Sequence, residues 1–117
     1  MKAQPIPCRI EPLLVRRIWG RLWLDPLYAA SQELAEPVGE VWLTGETCRF
    51  ADGPFAGEAL GQAWREMSRE WKGSRLEEVG AFPLLAKFLF PDLALSIQVH
   101  PDDEYAARHE AGSGGRG

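Results

Sequence analysis

Phe82-Pro83-Leu84-Leu85-Ala86-Lys87-Phe88-Leu89-Phe90 and Leu93-Ala94-Leu95-Ser96-Ile97-Gln98-Val99-His100 are two β-like runs separated by Pro91-Asp92. Apolar runs of this length around a turn signal predict two antiparallel strands, and with them a mainly β fold. The second run alternates: Leu93, Leu95, Ile97 and Val99 fall on one face, Ala94, Ser96, Gln98 and His100 on the other, since successive strand side chains point to opposite sides. With Pro91-Asp92 as a two-residue turn, antiparallel counting sets Lys87 opposite Ser96. Proline suits such turns poorly, so a longer loop would shift that register by one or two residues.

Outward from this pair, residues 38–44 read as a strand ending at Gly45, and residues 47–51 as another, closed by Ala51-Asp52-Gly53-Pro54. Between residues 58 and 71, Leu60, Ala63, Trp64, Met67 and Trp71 follow the i, i+3, i+4, i+7 rhythm of one helical face. Aromatic residues at that spacing are read as core rather than as a ligand-stacking stripe. Residues 1–28 mix Pro5, Pro7, Pro12 and Pro26 with apolar residues, so extended segments and turns are expected there. His100-Pro101-Asp102-Asp103-Glu104 reads as the start of a short helix, with proline in the first turn and acids favoured by the helix dipole. Residues 111–117 are too glycine-rich to hold structure and are expected to form a flexible end. The chain, residues 1–117, is read as a single segment with one or two helices and no internal repeat.

At 45% hydrophobic and 26% charged residues the composition is that of a globular chain with one core. Seventeen acids against 13 bases give a net charge of −4, which argues against binding to nucleic acid or anionic lipid. Cys8 and Cys48 stand outside any Cys-x-x-Cys or Cys-His spacing and are expected to be buried or incidental thiols. Arg9, Glu11, Arg16, Arg17, Arg21 and Asp25 break up any early apolar run, so no signal peptide or membrane span is expected and a cytoplasmic location is the default.

Four groups of residues are candidates for chemistry. Gln98 and His100, two apart on a strand, would project from one face roughly 6.6 Å apart, close enough to grip one ion. Glutamine is an uncommon zinc ligand, so a polar, solvated strand face is the stronger reading of that pair alone. Lys87 interrupts an apolar run; it is either part of a polar patch with Ser96, Gln98 and His100 or an edge lysine that blocks unwanted strand pairing. Tyr105 and His109 suit surface positions better than ligand roles. Ser96, His100 and Asp103 match a hydrolytic triad in composition only, because no nucleophile elbow surrounds the serine. No glycine loop of a nucleotide-binding pattern is present.

Taken in order, Phe82 to Leu89 and Leu95-Ser96-Ile97-Gln98-Val99-His100-Pro101-Asp102-Asp103-Glu104-Tyr105-Ala106 resemble the signature of type I mannose-6-phosphate isomerases. Arg17-Ile18-Trp19-Gly20 resembles that family's early Arg-Ile-Trp-Gly, although Arg21 stands where a second glycine is usual. Pro37-Val38-Gly39-Glu40-Val41-Trp42 resembles its Gly-Glu-x-Trp segment, and Asp52-Gly53-Pro54-Phe55-Ala56-Gly57 its Asn-Gly-Pro-Leu-x-Gly turn. The resemblance implies the amino-terminal part of a cupin-like β-barrel and a zinc-dependent interconversion of mannose 6-phosphate and fructose 6-phosphate. It implies Gln98 and His100 as two of four zinc ligands, and Lys87 and Ser96 in the pocket for a hexose 6-phosphate. Gly114-Gly115-Arg116-Gly117 resembles the lead-in to the family's Gly-Lys-Thr-Glu-Met-Trp, whose glutamate is a further ligand, so a 117-residue chain is expected to be inactive alone. The alternative is a non-catalytic, cupin-like module that binds a sugar phosphate through Lys87, Ser96 and His100.

Overall fold

Prolines at 5, 7 and 12 keep the first residues out of helix, and the chain enters regular structure as a nine-residue strand, β1 (Leu13–Arg21). In the computed structural model, which describes residues 4–28 and 34–109, β1 is followed by β2 (Val38–Trp42), α1 (Leu60–Glu66), α2 (Arg69–Lys72), β3 (Lys87–Leu89) and α3 (Asp103–His109). The three strands form one antiparallel sheet in the order β1-β2-β3. β2 is the centre of the sheet, and Val38 to Val41 are all buried.

β1 does not lie flat on β2. Leu13, Leu14 and Val15 pair with Trp42, Val41 and Glu40, but both Arg16 and Arg21 then face Val38. The strand bulges between them, as extra residues on one strand require. Gly20 sits at the far end of that bulge, where a Cβ would lie 2.4 Å from the Val38 carbonyl carbon and 2.5 Å from the Gly39 nitrogen. Gly39 answers it from β2: a Cβ there would meet the Arg17 stem and the Trp19 ring at 2.6–2.8 Å. The two glycines let β1 cross close over β2 and carry Arg17 toward Glu40.

Two small cores hold the rest. Leu24, Val38, Val41 and Phe90 form one, with Tyr28, Leu34 and Leu43 packed on it. Phe50, Leu60 and Ala63 form the other, joined by Cys8, Ile10, Phe55, Met67 and Phe82. The expected apolar face of residues 58–71 is therefore core, with Trp64 buried and its indole Nε1 donating to the Val79 carbonyl at 2.8 Å. That stretch is two helices rather than one, because Met67 (ψ 138°) and Ser68 (ψ 170°) are extended and break the backbone ladder. Gly73, at φ 83°, ends the second. Residues 47–51 contribute bridges rather than a strand: Arg49 pairs with Ala59 and Phe50 with Ile10. The turn that follows needs its glycine, since Gly53 is left-handed (φ 81°) and a Cβ on it would strike Cys8 Sγ at 2.6 Å.

The largest departure from expectation is the hairpin. Residues 82–90 hold only the three-residue β3, and residues 93–100 join no strand. β3 pairs with β2, so Lys87 faces Trp42, not Ser96. After Phe90 the chain turns back to β1, where the amides of Asp92 and Leu93 both donate to the Trp19 carbonyl (2.8 and 3.3 Å). That bend leaves no two-residue turn, and proline at 91 could not serve one. Among the described residues, no backbone group from Ala94 to His100 bonds to another backbone group. The apolar face is exposed too, with Ile97 fully exposed and Val99 at 92%. The helix expected after His100 is present as α3, and the glycine-rich 111–117 lies outside the described residues. No helix of the described residues is long and apolar enough to cross a membrane.

Candidate active site

β2 places an acid where its neighbours are apolar. Glu40 stands between Gly39 and Val41 and is 3% exposed. A buried carboxylate needs partners, since unpaired it would shed its charge. Two arrive from the flanking strands. From β1, Arg17 Nη2 reaches Glu40 Oε2 at 2.6 Å; from β3, Lys87 Nζ reaches Oε1 at 2.5 Å. The Lys87 ammonium also lies 6.0 Å from the centre of the Trp42 ring, its cross-strand neighbour. Trp42 Nε1 is buried without a well-aligned acceptor. Burial pushes the Glu40 carboxyl up, but the Lys87 ammonium, the Arg17 guanidinium and the nearby indole together outweigh it and hold the group below its ordinary value.

Glu40 therefore ties stability to acid pH, with a definite sign. Its folded carboxyl gives up its proton more readily than the unfolded one, so the unfolded chain is the first to be protonated as pH falls. The contribution is complete above the ordinary value near 4.5 and is lost as pH drops through the lower folded value. Asp52 adds the same sign from the surface, its carboxyl lowered by two hydrogen bonds from Arg9. Urea midpoints measured between about pH 6 and about pH 3 should fall, and Glu40→Gln should flatten that fall without removing it. Equal pH slopes in the two proteins would contradict the Glu40 account.

Of the residues expected to form a site, the structure groups some and not others. Gln98 Nε2 donates to Ser96 Oγ at 2.6 Å, which puts these two side chains on one side of the chain. Lys87 joins Glu40 and Arg17 across the sheet. His100 is exposed just before α3. Tyr105 and His109 stack on each other (4.1 Å between centroids) on the exposed side of α3, as surface residues do. Cys8 and Cys48 are both free thiols, and burial raises each above its ordinary value. Glu40 was not singled out by the spacing of residues; the available signal was a lone acid inside an apolar strand, with a lone lysine inside another apolar run.

The donors fit half of a metal site. An imidazole nitrogen and an amide oxygen are both ligands that zinc accepts. Because the Gln98 amide nitrogen is engaged by Ser96, its oxygen is the atom left for a ligand role. Among the described residues no group of three or more His, Cys, Asp or Glu could close the set.

The structure thus combines an antiparallel sheet with few helices, a buried carboxylate clamped by two cations, and a Gln-x-His pair beyond the sheet. A sequence model described as the catalytic domain of type I phosphomannose isomerase matches residues 8–113, so the chain belongs to that family. It is 32% identical to the probable mannose-6-phosphate isomerase GmuF of Bacillus subtilis, over 94% of this chain and 35% of that protein. It is 34% identical to mannose-6-phosphate isomerase ManA of the same organism, with the same coverage. The crystal structure of a mannose 6-phosphate isomerase from B. subtilis superposes with a TM-score of 0.73 at 35% identity, covering 91% of this chain and 34% of that one. The chain thus spans about a third of the length of the relatives it matches.

Proposed function

We propose that this chain is the amino-terminal third of a zinc-dependent isomerase that interconverts mannose 6-phosphate and fructose 6-phosphate inside the cytoplasm, and that residues 1–117 alone do not turn over substrate. The observation that carries the reading is the Ser96–Gln98 hydrogen bond (2.6 Å), which presents an amide oxygen two residues from an exposed imidazole in a chain of this family. In a cupin-like barrel, Gln98 and His100 would hold two of the four zinc ligands. A bound zinc ion would supply a positive charge to polarise the oxygens on the two carbons between which the proton moves. The chain's own residues supply orientation: Lys87 offers an ammonium and Ser96 a hydroxyl to the phosphate dianion of a hexose 6-phosphate. Moving a proton between adjacent carbons also needs a base, which none of these four residues is assigned to be.

Two ligands grip zinc weakly, because the chelating partners and the surrounding hydrogen bonds are incomplete. The purified chain should bind zinc only in the micromolar range or weaker by calorimetry, on the order of 10³-fold or more short of a closed four-ligand site. His100→Ala should remove that binding, and coupled-enzyme assays of mannose 6-phosphate should show no turnover. Zinc binding unchanged by His100→Ala would sink the ligand assignment, and turnover by the chain would sink the claim of inactivity. A non-catalytic sugar-phosphate module would instead bind hexose 6-phosphate saturably with no response to zinc.

A further inference from the structure

Glu40 occupies the centre of the sheet, yet stability gives no reason for it: replacing a buried ion pair by apolar side chains of similar volume is often neutral or stabilising. Its two neighbours along β2 are Gly39 and Val41, and Val41 is fully buried. The charge is also supported at some structural cost, since Gly39 has to lack a Cβ for the Arg17 stem to pass. Each oxygen of the carboxylate has its own cation, Arg17 on Oε2 and Lys87 on Oε1. Lys87 retains partial access to solvent, with 23% of its side chain exposed against 4% for Glu40. The acid is at the bottom, and the ammonium is presented above it.

We propose that Glu40 is a positioning residue, which fixes the Lys87 ammonium at the point where the phosphate of the substrate docks. This rests on the reading of Lys87 as a phosphate-binding group. A lysine has four rotatable bonds, and an untethered one loses that freedom only when it binds. Pinning it to a buried carboxylate beforehand lowers the cost of binding. Arg17 holds the second oxygen, so that the carboxylate keeps its orientation and stays ionised. In the described ion pairs, the Arg17 and Lys87 cations both face the Glu40 carboxylate, and a cation is the sign a phosphate needs.

The test reads Lys87 directly in the 117-residue chain, by NMR of its side-chain ammonium, with inorganic phosphate as the probe. A tethered ammonium exchanges its protons slowly and gives a distinct signal, which phosphate should shift. In Glu40→Gln that signal should be lost to exchange while the amide spectrum stays folded, and phosphate affinity should fall about tenfold, the lower end of what loss of a supporting partner costs a site. If Glu40→Gln fails to fold, Glu40→Asp decides: its carboxylate is drawn back by one methylene, and phosphate affinity should fall several-fold. An unchanged Lys87 signal and unchanged phosphate affinity in these variants would overturn the proposal. A Lys87 signal that depends on Glu40 but does not respond to phosphate would instead overturn the assignment of Lys87 to the substrate phosphate, and the positioning role with it.

Discussion

Trp64→Ala is expected to cost the chain about 3–5 kcal/mol, the range for removing a large buried aromatic. Trp64 is 5% exposed, and it connects three things at once. Its six-membered neighbour is Phe82, edge-on at 5.3 Å, and its Nε1 donates to the Val79 carbonyl, so the ring ties α1 to the segment leading into β3. Lys72 lies over its ring at 4.9 Å. Few other large side chains are buried, so the hole would not be refilled from nearby. Urea denaturation followed by far-UV circular dichroism should show a much lower midpoint for Trp64→Ala, since about 3–5 kcal/mol is a large part of the about 5–15 kcal/mol by which whole domains are stable. Trp64→Phe keeps most of the ring and loses the hydrogen bond, and should cost about 1–2 kcal/mol. A loss below about 1 kcal/mol for the alanine variant would mean that this core does not hold the fold.

Gly20→Ala is expected to be nearly as damaging, for the opposite reason. The added methyl would meet backbone rather than a flexible side chain, with the Val38 carbonyl carbon and oxygen and the Gly39 nitrogen all within 2.4–2.5 Å. Overpacking typically costs about 1–3 kcal/mol, and more where the obstacle cannot rotate away. The expected loss is therefore at least about 3 kcal/mol, with the β1–β2 register broken beyond Arg16. Gly61→Ala is the control. Its nearest obstacle is the carboxylate of Glu46, a side chain 41% exposed that would swing out and give up its surface ion pair with Arg65 (3.7 Å). The Glu46 carbonyl oxygen at 3.1 Å has to yield by only a few tenths of an ångström, so the loss should be no more than about 1 kcal/mol, partly offset because alanine suits a helix. Equal losses at positions 20 and 61 would show that the close approach of β1 and β2 does not limit the fold.

Local pattern was a sound guide wherever a segment's partners are close by in the chain. Leu60, Ala63 and Trp64 became the buried side of α1, and Val38 to Trp42 became the central strand. The break at Met67-Ser68 was not legible, since both residues tolerate a helix and only tertiary packing stops it there. The 93–100 run alternates as well as any strand, yet from Ala94 to His100 its backbone pairs with no other backbone in the described residues, because alternation predicts a face and says nothing about who covers it. The site divides in the same way. Gln98 and Ser96 were found together because two-residue spacing is local. The Arg17–Glu40–Lys87 cluster joins residues of three strands that lie more than twenty positions apart at each step, and such a meeting cannot be counted from spacing. It became visible only once β2 was seen to lie between β1 and β3.

The bare face of Leu93, Leu95, Ile97 and Val99 also bears on how any protein of this family is made. At about 5–20 residues per second, a ribosome that has completed this third still needs on the order of ten seconds or more to deliver the remaining two-thirds of a relative's length. Throughout that interval a stripe exposed as it is here, without backbone partners from Ala94 to His100, would be the kind of apolar surface that promotes aggregation before folding is complete. Pausing of translation just after this segment would then trade speed against co-translational aggregation.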